Sequence, residues 1–337
     1  MLYNFHEAER KERCTMAEKL KAVILDGHTE NPGDLSWEWL KENFELTVYP
    51  RTPADKIIER SKDADMIILN KIPITRETLA QLPKLKFIAV LATGYNQLDC
   101  AALKERGIPV SNIPAYSTDG VAQMTFSFIL ECMNRVADYT ADVKNLGWAK
   151  CEDFSYRIHP LHELAGRTLG IIGFGKIGAR VAEIANVFGM KILAYTPSGK
   201  KEGYPHVQFT SLDDLTANAD FITVHCPLTP DTAQLVNAAF IGKMKKGACI
   251  INTARGGIIN EADVAAALKS GALAGYGTDV LSTEPPKKDN PLLNAPNCYI
   301  TPHIAWAGYE TRVRLMEILK ENVDAFLAGK PINVVNG

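Results

Sequence analysis

Three polar residues stand directly after apolar runs in the second half of the chain: Arg255 after ACIINTA, Glu284 after GYGTDVLST and His303 after NCYITP. The carboxyl ends of strands are where an open α/β sheet places its chemistry. Arginine keeps its charge and grips a carboxylate through two parallel bonds. Histidine, with an ordinary pKa of about 6.5, gives and takes a proton near neutrality, and a carboxylate behind it fixes its tautomer. Such a set suits hydride reduction of a 2-keto acid, which needs a cation for the carboxylate and carbonyl oxygen and a proton donor for the developing alkoxide. Taken singly, each residue has a plainer explanation. A lone His is usually a hydrogen-bonded wall residue, and a lone Glu beside Pro285-Pro286 is usually a solvated turn. Three on successive strand ends weaken that explanation. His225 also ends an apolar run, DFITV, but has no carboxylate close to it in sequence and reads as a wall residue near a cofactor. The remaining histidines show no ligand spacing, so no metal site is expected.

The elements that must hold these residues alternate along the chain. From Lys21, apolar runs KAVILD, ELTVYP, DMIILN, KFIAVLAT and IPVSN interleave with amphipathic LSWEWLKENF, ADKIIERSKDA, TRETLAQL and LDCAALKERG. Continuous apolar runs of this length predict strands covered on both faces, hence a parallel α/β sheet. That series ends near Pro114. The segment TDGVAQMTFSFILECMNRVADYTADVKNLG then carries about 30 residues of helical periodicity without a loop signal. A second α/β series starts at Thr168 with TLGIIG, MKILAY, DFITVHCPL, ACIINTA, ALAGYGTDV and CYITPH as its strands. A helix over 261–270 is predicted with both ends marked, Asn260 as cap and Gly271 as left-handed stop. The helix ETRVRLMEILKENVDAFLAG closes the pattern.

Gly173-Phe174-Gly175-Lys176-Ile177-Gly178 follows the apolar run TLGII and opens the helical stretch IGARVAEIANVFG. In that context the glycine string reads as a dinucleotide cradle. Gly173 permits the tight turn, Gly175 removes a Cβ that would block a pyrophosphate, and Gly178 lets helix and strand approach. The helix N-terminus adds free N–H groups and a positive dipole end. An acid normally ends the next strand and grips the ribose 2′-OH, but after MKILAY the chain has Thr196. With Ser198, Lys200 and Lys201 it makes an uncharged-to-basic loop. NAD is therefore the expected cofactor with NADP as the alternative, although two adjacent lysines are by themselves more often solvated loop charges.

At 337 residues and 46% hydrophobic content the chain is long enough for two packed cores. The 37 Lys and Arg against 39 Asp and Glu create no field for a polyanion, so nucleic acid is not an expected partner. Seven scattered cysteines without a CxxC pair fit a reducing compartment. No apolar run has the roughly 18–20 residues of a membrane span, and a cytoplasmic, membrane-free protein is expected. Residues 1–18 have no strand or helix period and read as a mobile leader.

The segments GFGKIG, HCPLTPDT, INTARGG, GTDVLSTEPP and TPHIAW together resemble the D-isomer-specific 2-hydroxyacid dehydrogenases, over essentially the whole chain from about Lys21. KIPIT, VLATGYNQLD, PAYSTDGVAQ, HPLHELAG and FLAGKPINVVN look most like the glycerate dehydrogenase (hydroxypyruvate reductase) branch. The resemblance implies two doubly wound parallel-sheet α/β domains, a Rossmann dinucleotide-binding domain (115–304) inserted into a flavodoxin-like substrate domain (19–114 and 305–337). It implies that Arg255 binds substrate, Glu284 orients His303, and His303 is the acid/base. Backbone amides of Ala92, Thr93, Gly94 and Tyr95 would meet the substrate carboxylate. Along the cofactor would lie Val121, Lys176 and Ile177 of the turn, Thr196, His225, Cys226, Pro227, Thr232, Thr253, Ala254, Asp279 and Ala305, with Asp279 near the carboxamide. Helices near 118–146 would form the arm of a homodimer. The implied activity is NAD(P)H-dependent reduction of a small 2-keto acid, of hydroxypyruvate or glyoxylate type, to the D-2-hydroxy acid. A non-catalytic, nucleotide-sensing regulatory protein on the same fold is the alternative. Formate dehydrogenase-like relatives pair their His with Gln, and Glu284 argues against that reading.

Overall fold

The computed structural model describes residues 19–199 and 201–337; the leader read over residues 1–18, and Lys200, lie outside the described residues. The chain divides into two units, one running to Tyr116 and taking up again at Tyr309–Gly337, the other spanning Ser117–Gly308.

In the first unit the apolar runs form β1 (Leu20–Ile24), β2 (Phe44–Val48), β3 (Met66–Leu69), β4 (Phe87–Val90) and β5 (Val110–Ser111). They pair in parallel in the order β2-β1-β3-β4-β5. Every residue of β3 and β4 is buried, which is why these runs are apolar without alternation. The predicted helix over LSWEWLKENF shrinks to a 3-10 turn, Glu38–Glu42, of which only Leu40 is buried. A single anchor does not repay the ordering of a longer helix. The C-terminal helix Tyr309–Leu327 returns to this unit, stacking Phe326 on Phe87 at 4.4 Å and 7°. Its tail is tied to β5, with Val335 N–H donating to Val110 O at 2.9 Å and Asn336 Oδ1 accepting from Val110 N–H at 2.9 Å.

The second unit carries β6 (Thr168–Ile172), β7 (Lys191–Tyr195), β8 (Val207–Phe209), β9 (Phe221–Val224), β10 (Ala248–Asn252), β11 (Leu273–Thr278) and β12 (Cys298–Ile300). The order is β12-β11-β10-β9-β6-β7-β8, all parallel. The chain winds outward from β6 in one direction and returns from β9 in the other, so the carboxyl ends of β6 and β9 flank the crevice where such sheets take ligands. β8 was not legible, since three residues carry no period. The long helix expected after Pro114 is two: Thr118–Asn134 and Val136–Lys144, broken at Arg135 with φ 49°. Arg135 Nε donates to Asp138 Oδ2 at 2.7 Å and Nη1 to Asn297 Oδ1 at 2.9 Å. These charge-assisted bonds hold a left-handed conformation that periodicity cannot register. The helix Glu261–Ser270 has the limits predicted for it, with Asn260 capping Asp263 N–H at 3.1 Å and Gly271 at φ 72°.

Candidate active site

Immediately after β6, Gly173 takes φ 93°, and a Cβ there would come within 2.6 Å of the Cys226 backbone nitrogen. The turn thus lies directly against the backbone that follows β9. A Cβ at Gly178 would run into the Gly173 carbonyl oxygen, so this helix meets its strand only as glycine. Gly175 caps the helix Lys176–Val187 without a side chain, and a Cβ on it would meet nothing within 4 Å. Open space therefore faces the first-turn N–H groups of a 12-residue helix, and that cradle fits an anionic pyrophosphate.

At the end of β7, Thr196 Oγ1 lies 3.3 Å from Ser198 Oγ, and Gly199 N–H donates to Thr196 O at 3.0 Å, a turn without a carboxylate at position 196. His225 N–H donates to Ile172 O at 2.7 Å. Both His225 ring nitrogens are buried with no hydrogen-bond partner among the described residues, and burial lowers its pKa to about 3. Burial thus favours the neutral imidazole. Thr232 Oγ1 accepts from Thr229 N–H at 2.7 Å and donates to Pro227 O at 2.7 Å, closing the loop that carries Cys226 and Pro227. Val121 is buried in the helix Thr118–Asn134, where Thr125 Oγ1 reaches Val121 O at 2.9 Å and Thr253 Oγ1 at 3.1 Å.

Glu284 and His303 meet. His303 Nδ1 lies 2.7 Å from Glu284 Oε2, while Glu284 Oε1 accepts from Leu281 N–H at 3.0 Å. A carboxylate facing Nδ1 keeps the proton on that nitrogen and leaves Nε2 as the working atom. The His303 side chain is 30% exposed, enough for a small molecule to reach it. His303 has φ 56°, a conformation uncommon outside glycine, held because its N–H donates to Asp279 O at 2.8 Å. The buried Asp279 carboxylate accepts from Thr301 Oγ1 at 2.5 Å, Ile304 N–H at 2.8 Å and Ala305 N–H at 2.8 Å. Asp279 thereby fixes the whole loop from Thr301 to Ala305, and the return to the first unit comes at Tyr309 rather than at 305.

Arg255 follows β10 and donates from Nη1 to Ala254 O at 2.7 Å. Its loop is shaped by the fully buried Asn252, whose Nδ2 donates to Arg255 O at 3.0 Å and whose Oδ1 accepts from Ala254 N–H at 3.0 Å. Gly256 lies flat on the Leu281–Ser282 backbone, with no room for a Cβ. The arginine loop and the glutamate loop are therefore in contact. Glu261 clamps the latter, accepting from Ser282 N–H at 2.7 Å, Ser282 Oγ at 2.8 Å and Asn290 Nδ2 at 2.9 Å. Asn252, Glu261 and Thr301 were missed by sequence reasoning. The only signal for them is a polar residue at a strand or helix end, which capping explains equally well.

In the first unit, Ala92, Thr93, Gly94 and Tyr95 form the loop after β4. Ile113 N–H donates to Ala92 O at 3.0 Å, Thr93 Oγ1 donates to Ile113 O at 2.8 Å, and Asn112 Nδ2 donates to Thr93 O at 2.8 Å. Leu98 N–H closes the far side on Tyr95 O at 3.1 Å.

The family model described as the D-isomer specific 2-hydroxyacid dehydrogenase NAD binding domain matches residues 126–305. Hydroxypyruvate reductase of Blautia hydrogenotrophica is 45% identical over 324 residues, covering 94% of this chain and 100% of that protein. Among solved structures, an acyclic imino acid reductase in complex with NADPH and D-Arg matches at 31% identity and TM-score 0.83, over 94% of this chain and 100% of its own. D-Lactate dehydrogenase from Aquifex aeolicus, complexed with NAD and lactic acid, matches at 32% identity and TM-score 0.81, over 94% and 99%. The matched residues take in the glycine cradle, the arginine loop and the Glu284–His303 pair, and the chain belongs to the D-isomer specific 2-hydroxyacid dehydrogenase family.

Proposed function

We propose that this chain reduces a small 2-keto acid of the hydroxypyruvate or glyoxylate type to the D-2-hydroxy acid, with His303 as proton donor. The observation that carries the reading is the 2.7 Å contact of Glu284 Oε2 with His303 Nδ1. Reduced nicotinamide, when bound, supplies the hydride. Glu284 holds the imidazole so that Nε2 delivers a proton to the nascent alkoxide, and the Glu284 charge stabilises the imidazolium before delivery. Arg255 grips the substrate carboxylate and polarises its carbonyl. The name of the Blautia relative supports hydroxypyruvate as substrate. A keto-acid panel followed by loss of nicotinamide absorbance tests the reading, and no turnover of hydroxypyruvate, glyoxylate or any close analogue sinks it.

NADH is the cofactor in this reading, with NADPH as the alternative. An aspartate at position 196 would repel a 2′-phosphate, whereas Thr196 and Ser198 offer two hydroxyls to either sugar. The expected kcat/KM values for the two cofactors differ by less than about tenfold, or about 1.4 kcal/mol. Thr196→Asp is expected to shift the ratio at least tenfold toward NADH. An unshifted ratio in that variant removes position 196 from cofactor choice.

A homodimer and a cytoplasmic location complete the reading, the latter resting on the scattered, unpaired cysteine pattern. The dimer is supported by large apolar side chains left exposed along residues 136–161, among them Val136 at 60%, Leu146 at 57%, Trp148 at 53% and Phe154 at 91%. Exposure concentrated in one segment marks an interaction surface. Light scattering should give twice the chain mass, and Phe154→Asp with Trp148→Asp should give the single mass; a monomeric wild type overturns the proposal.

A further inference from the structure

The first unit has its own reversal of strand order, between β1 and β3, and a buried glutamate and a buried asparagine lie past the ends of those two strands. Glu30 is fully buried and Asn70 is 5% exposed. Asn70 Nδ2 donates to Glu30 Oε1. Each partner keeps one buried oxygen with no hydrogen-bond partner among the described residues, Glu30 Oε2 and Asn70 Oδ1. Two orphan acceptors side by side in one pair are costly, since each forfeits its water without replacement, at about 1–3 kcal/mol. One proton on Oε2 removes both deficits at once, because a carboxylic acid and a carboxamide join through two parallel bonds.

We propose that Glu30 is held as a neutral carboxylic acid, its Oε2–H donating to Asn70 Oδ1, and that this closed acid–amide pair positions the loop carrying residues 92–97. The second half of the proposal rests on the substrate role given above to residues 92–95. Asn70 is coupled to that loop directly: Gln97 Nε2 donates to Asn70 O at 2.5 Å, and Gln97 O accepts from Ile74 N–H at 3.1 Å. The charged surroundings favour the neutral acid. Asp26, after β1, accepts from Asn70 N–H at 2.8 Å and Lys71 N–H at 2.6 Å, and its negative charge opposes a second one at Glu30. Lys71, after β3, attracts the ionised form weakly. Arg312, from the C-terminal helix, donates to the Glu30 backbone oxygen at 3.3 Å, and its fork binds Asp34 at 2.7 and 2.6 Å. Burial, followed by Asp26, raises the Glu30 pKa from 4.5 to about 8.

Between the unfolded Glu30 pKa of 4.5 and the folded pKa of about 8, the folded chain holds a proton that the unfolded chain has lost. Stability contributed by Glu30 therefore falls as pH rises through that window and levels off above it. Glu30→Gln replaces the acid by an amide that still donates to Asn70 Oδ1, at every pH. The experiment compares wild type with E30Q in three readouts: melting temperature across the window, the infrared carbonyl band of a protonated carboxyl group, and KM for hydroxypyruvate across the alkaline limb. The expected results are an E30Q advantage in melting temperature that widens toward about pH 8, a carboxyl band in wild type that E30Q lacks, and a wild-type KM rising several-fold on ionisation while kcat holds and E30Q stays flat. Should E30Q not fold, Asn70→Ala serves instead, and the carboxyl band should move to higher frequency as its acceptor is lost. Absence of a Glu30 carboxyl band near neutrality overturns the neutral acid. A band with an unresponsive KM overturns its hold on the loop. The band and the melting curves need no turnover, so they separate failure of this inference from failure of the proposed reaction.

Discussion

Replacing His303 by alanine should lower kcat by about 10² or more while leaving KM for the nicotinamide cofactor near its wild-type value. The side chain is partly exposed and bonds to Glu284 through one ring nitrogen, so its removal opens no core cavity and the melting temperature should hold. What disappears is the proton for the alkoxide. Glu284→Gln is the sharper version. Its carbonyl oxygen can still serve Leu281 N–H, but an amide then faces Nδ1 where a carboxylate stood. The imidazole turns to the tautomer that accepts at Nδ1 and donates at Nε2 without a charge behind it, and kcat should fall in a pH-dependent way. Arg255→Ala should cost a comparable factor, by loss of the carboxylate grip, and Arg255→Lys should recover only part of it because the fork is gone. Single-turnover kinetics with hydroxypyruvate reads all four. Near-unchanged turnover in His303→Ala or Arg255→Ala would remove that residue from the reaction.

Gly173→Ala and Gly175→Ala should behave in opposite ways, although they stand two residues apart. At Gly173 the backbone is left-handed, φ 93°, and the added Cβ would press on the Cys226 amide at 2.6 Å. Backbone strain of about 1–3 kcal/mol and overpacking of similar size add there. A loss of roughly 5–20 °C in melting temperature is expected, with cofactor affinity lost alongside it. At Gly175 the backbone is extended and the Cβ enters empty space, so the melting temperature should stay within a degree or two. That empty space is where the pyrophosphate is proposed to lie, and KM for NADH should rise about tenfold or more. Calorimetry and cofactor titration on the two variants give the answer. A Gly175→Ala protein that binds NADH as tightly as wild type would show that the cradle holds no phosphate.

Much of the molecule was legible because its pattern is local. Fully buried parallel strands need unbroken apolar runs, and eleven of the twelve strands among the described residues coincide with runs read as such; β8, at three residues, does not. Asn260 and Gly271 marked their helix because a cap acts within one turn. Arg135 was not legible. Its left-handed conformation depends on Asn297, 162 residues away in sequence, and the helical periodicity on either side runs through it unchanged.

The candidate site divides the same way. Composition and order alone determined that Arg255, Glu284 and His303 follow strands, that a glycine cradle opens a helix, and that an uncharged residue ends β7, since each is a matter of residue type beside a run. Only the tertiary structure decided that Glu284 faces Nδ1 of His303, that Asp279 spends its carboxylate on the loop from Thr301 to Ala305, and that burial lowers the His225 pKa. It alone brought Glu30 against Asn70, 40 residues apart. Hydrogen bonds and desolvation act over a few ångströms of space, and no spacing along the chain encodes which distant groups will share them.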